Sequence, residues 1–199
     1  MQYILFFEDP IQDKFIKDYL SFLKNNKFSR TSILSGPNPN LITTEKIVQK
    51  MAFSNQIQQN INGGFRPVIF LNSDFGYRSV KLELEKLKNE YKFDFDLFIF
   101  PNNKNDGTII NLLENIVNNE HYHVLKCIEQ YFSCVDSLQN SLYCLPAPNA
   151  KMISYIEILK NISGTHNVHL RNVNYNQIEL WNLNSKYLDP LKNFLNSLV

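Results

Sequence analysis

The sequence predicts an α/β fold: a mainly parallel sheet flanked by helices, with a mostly helical C-terminal extension. Three observations carry that expectation. Short apolar runs rich in β-formers alternate with helix-period stretches as far as residue 100, the runs are continuously apolar as doubly covered strands are, and after Gly107 the pattern turns helical. At 199 residues and 44% hydrophobic, the chain suffices for one well-cored domain. Residues 1–118 are read as the α/β core and 119–199 as a helical extension packed on it, with no long linker between them.

The elements follow in order. Residues 2–7 (QYILFF) form a buried strand closed by Glu8, Asp9 and Pro10, and Ile11, Phe15, Ile16, Tyr19, Leu20 and Leu23 then form one stripe of an amphipathic helix. Residues 31–35 (TSILS) are strand-like and stop at Gly36-Pro37, after which Thr43 or Thr44 caps a helix running to about residue 61. The Gly63-Gly64 turn leads into a strand at 67–71 (PVIFL). Val80, Leu84, Leu87 and Tyr91 mark another helix, and 95–100 (FDLFIF) a further strand. Helices are expected at 109–117, 124–135 and 151–159. Residues 163–185 are polar and poorly periodic, an appendage in which Trp181 is the expected anchor, and a short helix carries Phe194 and Leu195. Pro146, Pro148 and the Asn-rich stretch 172–184 are the expected mobile or partner-facing places.

Composition excludes several classes. Twenty Lys+Arg against 19 Asp+Glu gives a net charge of +1, so nucleic acid would have to be met by a local patch or a partner subunit. Three cysteines without a Cys-x-x-Cys support neither a disulfide framework nor a zinc module, and fit a reduced cytoplasm. No run reaches the roughly 18 apolar residues of a membrane span, and Asp9-Pro10 ends the apolar start too early for a signal peptide, so a cytoplasmic protein without membrane contact is expected.

In a parallel sheet, ligands collect at the carboxyl ends of the strands, and three of those ends are polar: Glu8-Asp9, Asn72-Ser73-Asp74, and the loop from Asn102 to Gly107. Folding can bring Glu8, Asp74 and Asp106 together. Carboxylate oxygens are what Mg²⁺ or Mn²⁺ prefers, and such an ion polarises a phosphoryl oxygen and prepares an attacking water. The competing reading is a set of solvated turns and helix caps. Arg78 and Lys81, beside the second strand end, and Lys104, in the third, are placed to steady a phosphate backbone if they are more than solvated charges.

The strand ending in Glu8, its helix, and the later VIFLNSD resemble the Toprim domain, whose pattern is a strand-end Glu followed by a strand-end Asp-x-Asp. The stretches DLFIFPNNKNDGTIINLLENI, HYHVLKCIEQYFSCV and YLDPLKNFL are similar to an uncharacterised bacterial branch of Toprim-like proteins related to the overcoming-lysogenization-defect nucleases. The resemblance implies metal-dependent hydrolysis of phosphodiesters, with Glu8 as general acid/base and Asn72 and Asp74, at the Asp-x-Asp positions, joining Glu8 and Asp106 on the ion. It also implies work beside an ABC-type ATPase in anti-phage defence. The chain departs from the pattern at Asp9, where Gly is usual, at Asn72, where Asp is usual, and at Ile109-Ile110, where an acidic residue would stand, leaving Glu114 as the nearby substitute. These departures support an alternative: a catalytically degenerate Toprim-fold subunit that binds or regulates without cutting.

Remaining candidates are weaker. His121-x-His123 and His166-x-x-His169 lack a third ligand at zinc-like spacing. Cys127 and Cys134 are expected as small core residues among Leu125, Ile128 and Phe132. No Gly-x-Ser-x-Gly and no Walker-type GxxxxGK[ST] occurs, and Phe6, Phe70, Phe98 and Phe100 belong to the core rather than to a base-stacking platform.

Overall fold

A computed structural model describes residues 2–24, 30–33, 59, 61–74, 76–92, 94–140, 142–164 and 168–198. Most of the helix expected from residues 43 and 44 onward lies outside the described residues. The strands are β1 (Gln2–Phe7), β2 (Arg30–Ile33), β3 (Phe65–Leu71) and β4 (Asp96–Ile99). The helices are α1 (Pro10–Phe22), α2 (Tyr77–Tyr91), α3 (Ile109–Asn115), α4 (Tyr122–Ser137), α5 (Ala150–Ile158), α6 (Lys160–Ser163) and α7 (Asp189–Ser197). The chain is therefore α/β, with a parallel sheet and a mostly helical second half, and none of the described helices is long and apolar enough to cross a membrane.

The sheet order is β2-β1-β3-β4, and every neighbouring pair is parallel. Phe7 registers with Phe70, and Phe70 with Phe98, so the chain crosses from one side of β1 to the other between β2 and β3. The carboxyl ends of β1 and β3 are thereby adjacent at the switch point where open α/β sheets hold ligands.

Both faces of the sheet are covered, which is why the strands read as continuous apolar runs. Leu5, Phe7, Val68, Phe70 and Phe98 point to one face, where they join α1, α3, α4, α5 and α7 in a single core. Ile4, Phe6, Ile69, Leu71 and Ile99, the alternate positions, point to the other and pack on Val80, Leu84 and Leu87 of α2. Rings dominate the first face: Phe7 stacks on Phe70 at 5.1 Å, and Phe194 of α7 lies 5.4 Å from Phe98.

Residues 168–183, polar and poorly periodic in sequence, supply part of the core. Val168, Leu170, Val173, Tyr175, Leu180, Trp181 and Leu183 are all buried in the same core as the strands. The Tyr175 N–H donates to Asp18 Oδ2 of α1 at 2.8 Å, and the Asn182 N–H to the Ile116 carbonyl at 2.7 Å, so the Asn-rich stretch is laced to the core by its backbone. Trp181 is the anchor expected, 1% exposed between Tyr155 and Tyr175. Burying such a ring contributes roughly 3 kcal/mol. The periodicity is silent because these residues lie in turns, a short 3-10 helix, an isolated bridge and irregular backbone rather than in one regular element.

Cys127 and Cys134 are exposed, contrary to expectation. Helix α4 buries Leu125 and Ile128, with Val124 and Phe132 half-covered beside them, and at 100° per residue both thiols fall about a third of a turn away from that stripe.

Candidate acid–base site at the ends of β1 and β3

The site begins with the first turn of α1. Asp9 is its N-cap: Oδ1 accepts from the Ile11 N–H at 2.7 Å and the Gln12 N–H at 3.1 Å, and Pro10 at the first helical position needs no donor partner. Gln12, fully buried, turns back and accepts the Glu8 N–H at 2.9 Å through Oε1. This orients its Nε2 as a buried donor with no hydrogen-bond partner among the described residues, although the amide still favours a charged Glu8. Glu8 is held across the switch point by the Asn72 N–H, which donates to Oε2 at 2.8 Å.

Burial is the main cause that pushes the Glu8 carboxyl up to about 7, with the charges of Asp9 and Asp74 adding to it and the Asn72 N–H opposing. Asp9 is raised as well, by burial against its two capping N–H groups. Asp74 is exposed, yet partial desolvation and then the Asp9 charge raise it too. Glu8 is thus raised by the charges of both neighbours and Asp74 by that of Asp9, whereas Asp9 is raised by burial alone. None of them is ion-paired to Lys, Arg or His among the described residues.

Of the four residues expected as ligands, Glu8 and Asp74 are near enough for the Asp74 charge to raise Glu8; the other two have work of their own. The Asn72 side chain joins two helix starts: Nδ2 donates to Asp9 Oδ2 at 3.4 Å and Oδ1 accepts the Ile109 N–H at 2.9 Å, at the first residue of α3. An Asp here would set a second carboxylate against Asp9, which gives the departure from Asp-x-Asp a local physical reason. Asp106 reaches across to α2, whose cap residue Gly76 has no side chain, and accepts the Tyr77 N–H at 2.6 Å. Glu114 is paired with Lys151 at 3.1 Å.

The FPNN-x-x-DG loop is organised by Ser73, a buried hydroxyl that sequence reasoning passed over. Its Oγ lies 2.9 Å from the Phe100 carbonyl and 3.1 Å from the Gly107 carbonyl, and accepts the Gly107 N–H at 3.0 Å. Gly107 has φ +138°, and a Cβ there would stand 2.7 Å from Asn111 Oδ1, so only glycine closes this loop without displacement. Gln12 was also missed, but it carried a signal: it shares the stripe of Ile16 and Tyr19, at four and seven residues' spacing, where a polar side chain must have a buried partner.

Arg78, Lys81 and Lys104 are exposed at this same edge, Lys81 with its Nζ 5.9 Å from the Tyr77 ring centroid. His121, His123 and His169 do not assemble with other ligands, since no group of three or more His, Cys, Asp or Glu suited to a metal occurs among the described residues. His166 lies outside them. Two carboxylates with free oxygens, Glu8 and Asp74, are the donor set. That is short of a protein-built cage but within what Mg²⁺ accepts when water and phosphate oxygens fill its other positions. No family model matches the chain, and neither the curated proteins nor the solved structures compared with it gave a match.

Proposed function

We propose that this protein acts on phosphodiesters with the help of a divalent cation, in the manner its Toprim-like sequence features imply. Glu8 is the general acid/base, and Asp74 with Glu8 holds Mg²⁺ or Mn²⁺. One observation carries the reading: Glu8 is buried at the switch point and raised further by the charges of Asp9 and Asp74, with none of the three ion-paired to a basic group among the described residues. A carboxyl titrating near 7 both donates and accepts a proton at neutral pH, which is what acid–base chemistry on a leaving oxygen requires. A cation would supply the missing positive charge and polarise the phosphate. Arg78, Lys81 and Lys104 are the exposed cations available to the backbone of a nucleic acid. The same resemblance supplies the setting, anti-phage defence beside an ABC-type ATPase.

The second reading, a binding or regulatory subunit that does not cut, is favoured by Asn72. Both ends of its amide are engaged in structure, and the formal charge of an aspartate is missing. Calorimetric titration with Mg²⁺ and Mn²⁺, alongside incubation with single- and double-stranded DNA and RNA, separates the two. Millimolar or tighter binding lost in Glu8→Gln and Asp74→Asn, with cleavage lost in the same variants, supports the first. Absence of both binding and cleavage leaves the second.

A further inference from the structure

A second feature lies beside the acidic site and does not depend on Glu8. A cavity of about 670 Å³ opens between α3, α4 and residues 145–148, and a smaller one of about 260 Å³ continues along the end of α4; the two share Asp136 and Leu145. Their walls mix two chemistries. Phe132, Leu145, Pro146 and Pro148 give the larger cavity an apolar floor, and Val135 and Tyr143 extend it into the smaller. Asp74, Asp106, Glu114 and Asp136 give the larger cavity four carboxylates against one ammonium, Lys151, which is already held by Glu114 at 3.1 Å and Glu129 at 3.3 Å. On a chain whose net charge is +1 this is a local acidic field, not a reflection of overall composition.

The surface around it is unusually apolar. Five of the ten large hydrophobic side chains exposed among the described residues fall within 131–145, with Leu142 86% and Leu145 52% exposed, so the exposure is a patch rather than a scatter. We infer that this groove docks a short amphipathic segment of a partner protein, with apolar side chains seated on Leu145, Phe132 and the two prolines and Lys or Arg side chains facing Asp136 and Asp106. Charge decides the occupant. Away from Asp74 and the Glu114–Lys151 pair, a nucleic acid would bring phosphates against Asp106 and Asp136, and a second copy related by a two-fold axis would bring the same acids face to face. A basic, apolar segment answers both parts of the lining at once.

The test uses the whole protein and a built-in reporter. Cys144 lines the smaller cavity, whereas Cys127 is exposed and lines neither. A short amphipathic peptide of leucine and lysine is added as the probe, and iodoacetamide alkylation of each cysteine is followed by peptide mass spectrometry. Alkylation of Cys144 slows about tenfold at saturating peptide while Cys127 is unchanged; the protection weakens as salt is raised and is lost in Asp136→Lys and in Leu145→Asp. Both substituted positions are exposed, and the unsubstituted protein alone already decides the question. Equal protection of both cysteines, no protection of Cys144, or equal protection by a leucine–glutamate peptide overturns the proposal. So does self-association in sedimentation equilibrium that Leu145→Asp abolishes, which would make a second copy the occupant.

Discussion

The loop after β4 and the paired turns after β1 and β3 all carry strand-end acids, Asp106 in the loop and Glu8, Asp9 and Asp74 in the turns, yet these meet opposite fates. In the loop, Asp106 takes the Tyr77 N–H that Gly76 cannot cap, and Ser73 gathers the backbone of Phe100 and Gly107, so its polar atoms are spent on holding structure. In the turns, Asp9 spends Oδ1 on capping and Oδ2 on the Asn72 amide, but Glu8 and Asp74 keep oxygens to spare, the Asp74 charge raises Glu8, and neither is ion-paired among the described residues. An acid at a strand end is therefore not diagnostic; what separates a cap from a reactive group is whether its oxygens already have donors and its charge a partner.

The largest expected effect breaks the comparison at Glu8. Its carboxyl stays protonated in the folded chain up to about 7 but ionises from the ordinary 4.5 when unfolded, so stability is lost as pH rises across that window. From pH 5 to pH 8 this group alone costs about 3 kcal/mol. Glu8→Gln should match the parent protein at pH 5 and exceed it at pH 8, read by urea unfolding; identical pH profiles would mean the carboxyl is not perturbed. Mg²⁺ should recover part of the loss in the parent protein and none in the variant.

Ser73→Ala strikes the other side of the comparison. Removing the hydroxyl strands buried backbone groups of the β4 loop and should cost about 2 kcal/mol in the same unfolding experiment. It should leave the Glu8 titration, followed by carboxyl-carbon NMR, where it was. A large movement of that titration would show that loop and turns are one unit.

Asn72→Asp sharpens the contrast by converting a spent position into a charged one. The new carboxylate can still accept the Ile109 N–H but faces Asp9, so the variant should lose about 1 kcal/mol at pH 8. Millimolar Mg²⁺ should restore it more strongly than it stabilises the parent protein, and thermal melts with and without the ion check this. Asp106→Asn, the smallest change, keeps an acceptor for the Tyr77 N–H and loses only the charge at the start of α2. About 0.5 kcal/mol is expected, with Mg²⁺ affinity by calorimetry unchanged. A marked fall in affinity would return Asp106 to the metal reading.

Much of this was legible in the residues. Continuous runs such as QYILFF and PVIFL announce strands covered on both faces, and parallel pairing follows from the helices between them; the observed strands start or stop within two residues of the expected ones. That Glu8 and Asp74 share one edge of the sheet was legible as topology, because parallel strands set their carboxyl ends on the same side, whereas the order of the strands was not. The work of Asn72 and Asp106 was not, since it depends on which backbone N–H each side chain reaches, and a spacing of 29 or 37 residues carries no local pattern. Burial of Tyr175 was hidden for a related reason, since a turn packs one side chain at a time and leaves no period to read, whereas Trp181 was legible as an anchor from its size and its Leu180 and Leu183 neighbours.

The lacing of Tyr175 to Asp18 joins residues 157 apart in the chain. During synthesis the apolar side of α1, with Phe15 and Tyr19, therefore emerges long before the rings that cover it. A nascent chain stopped before residue 168 would present that stripe to the solvent and to chaperones, and this region should become resistant to protease only after residues 168–198 have left the ribosome.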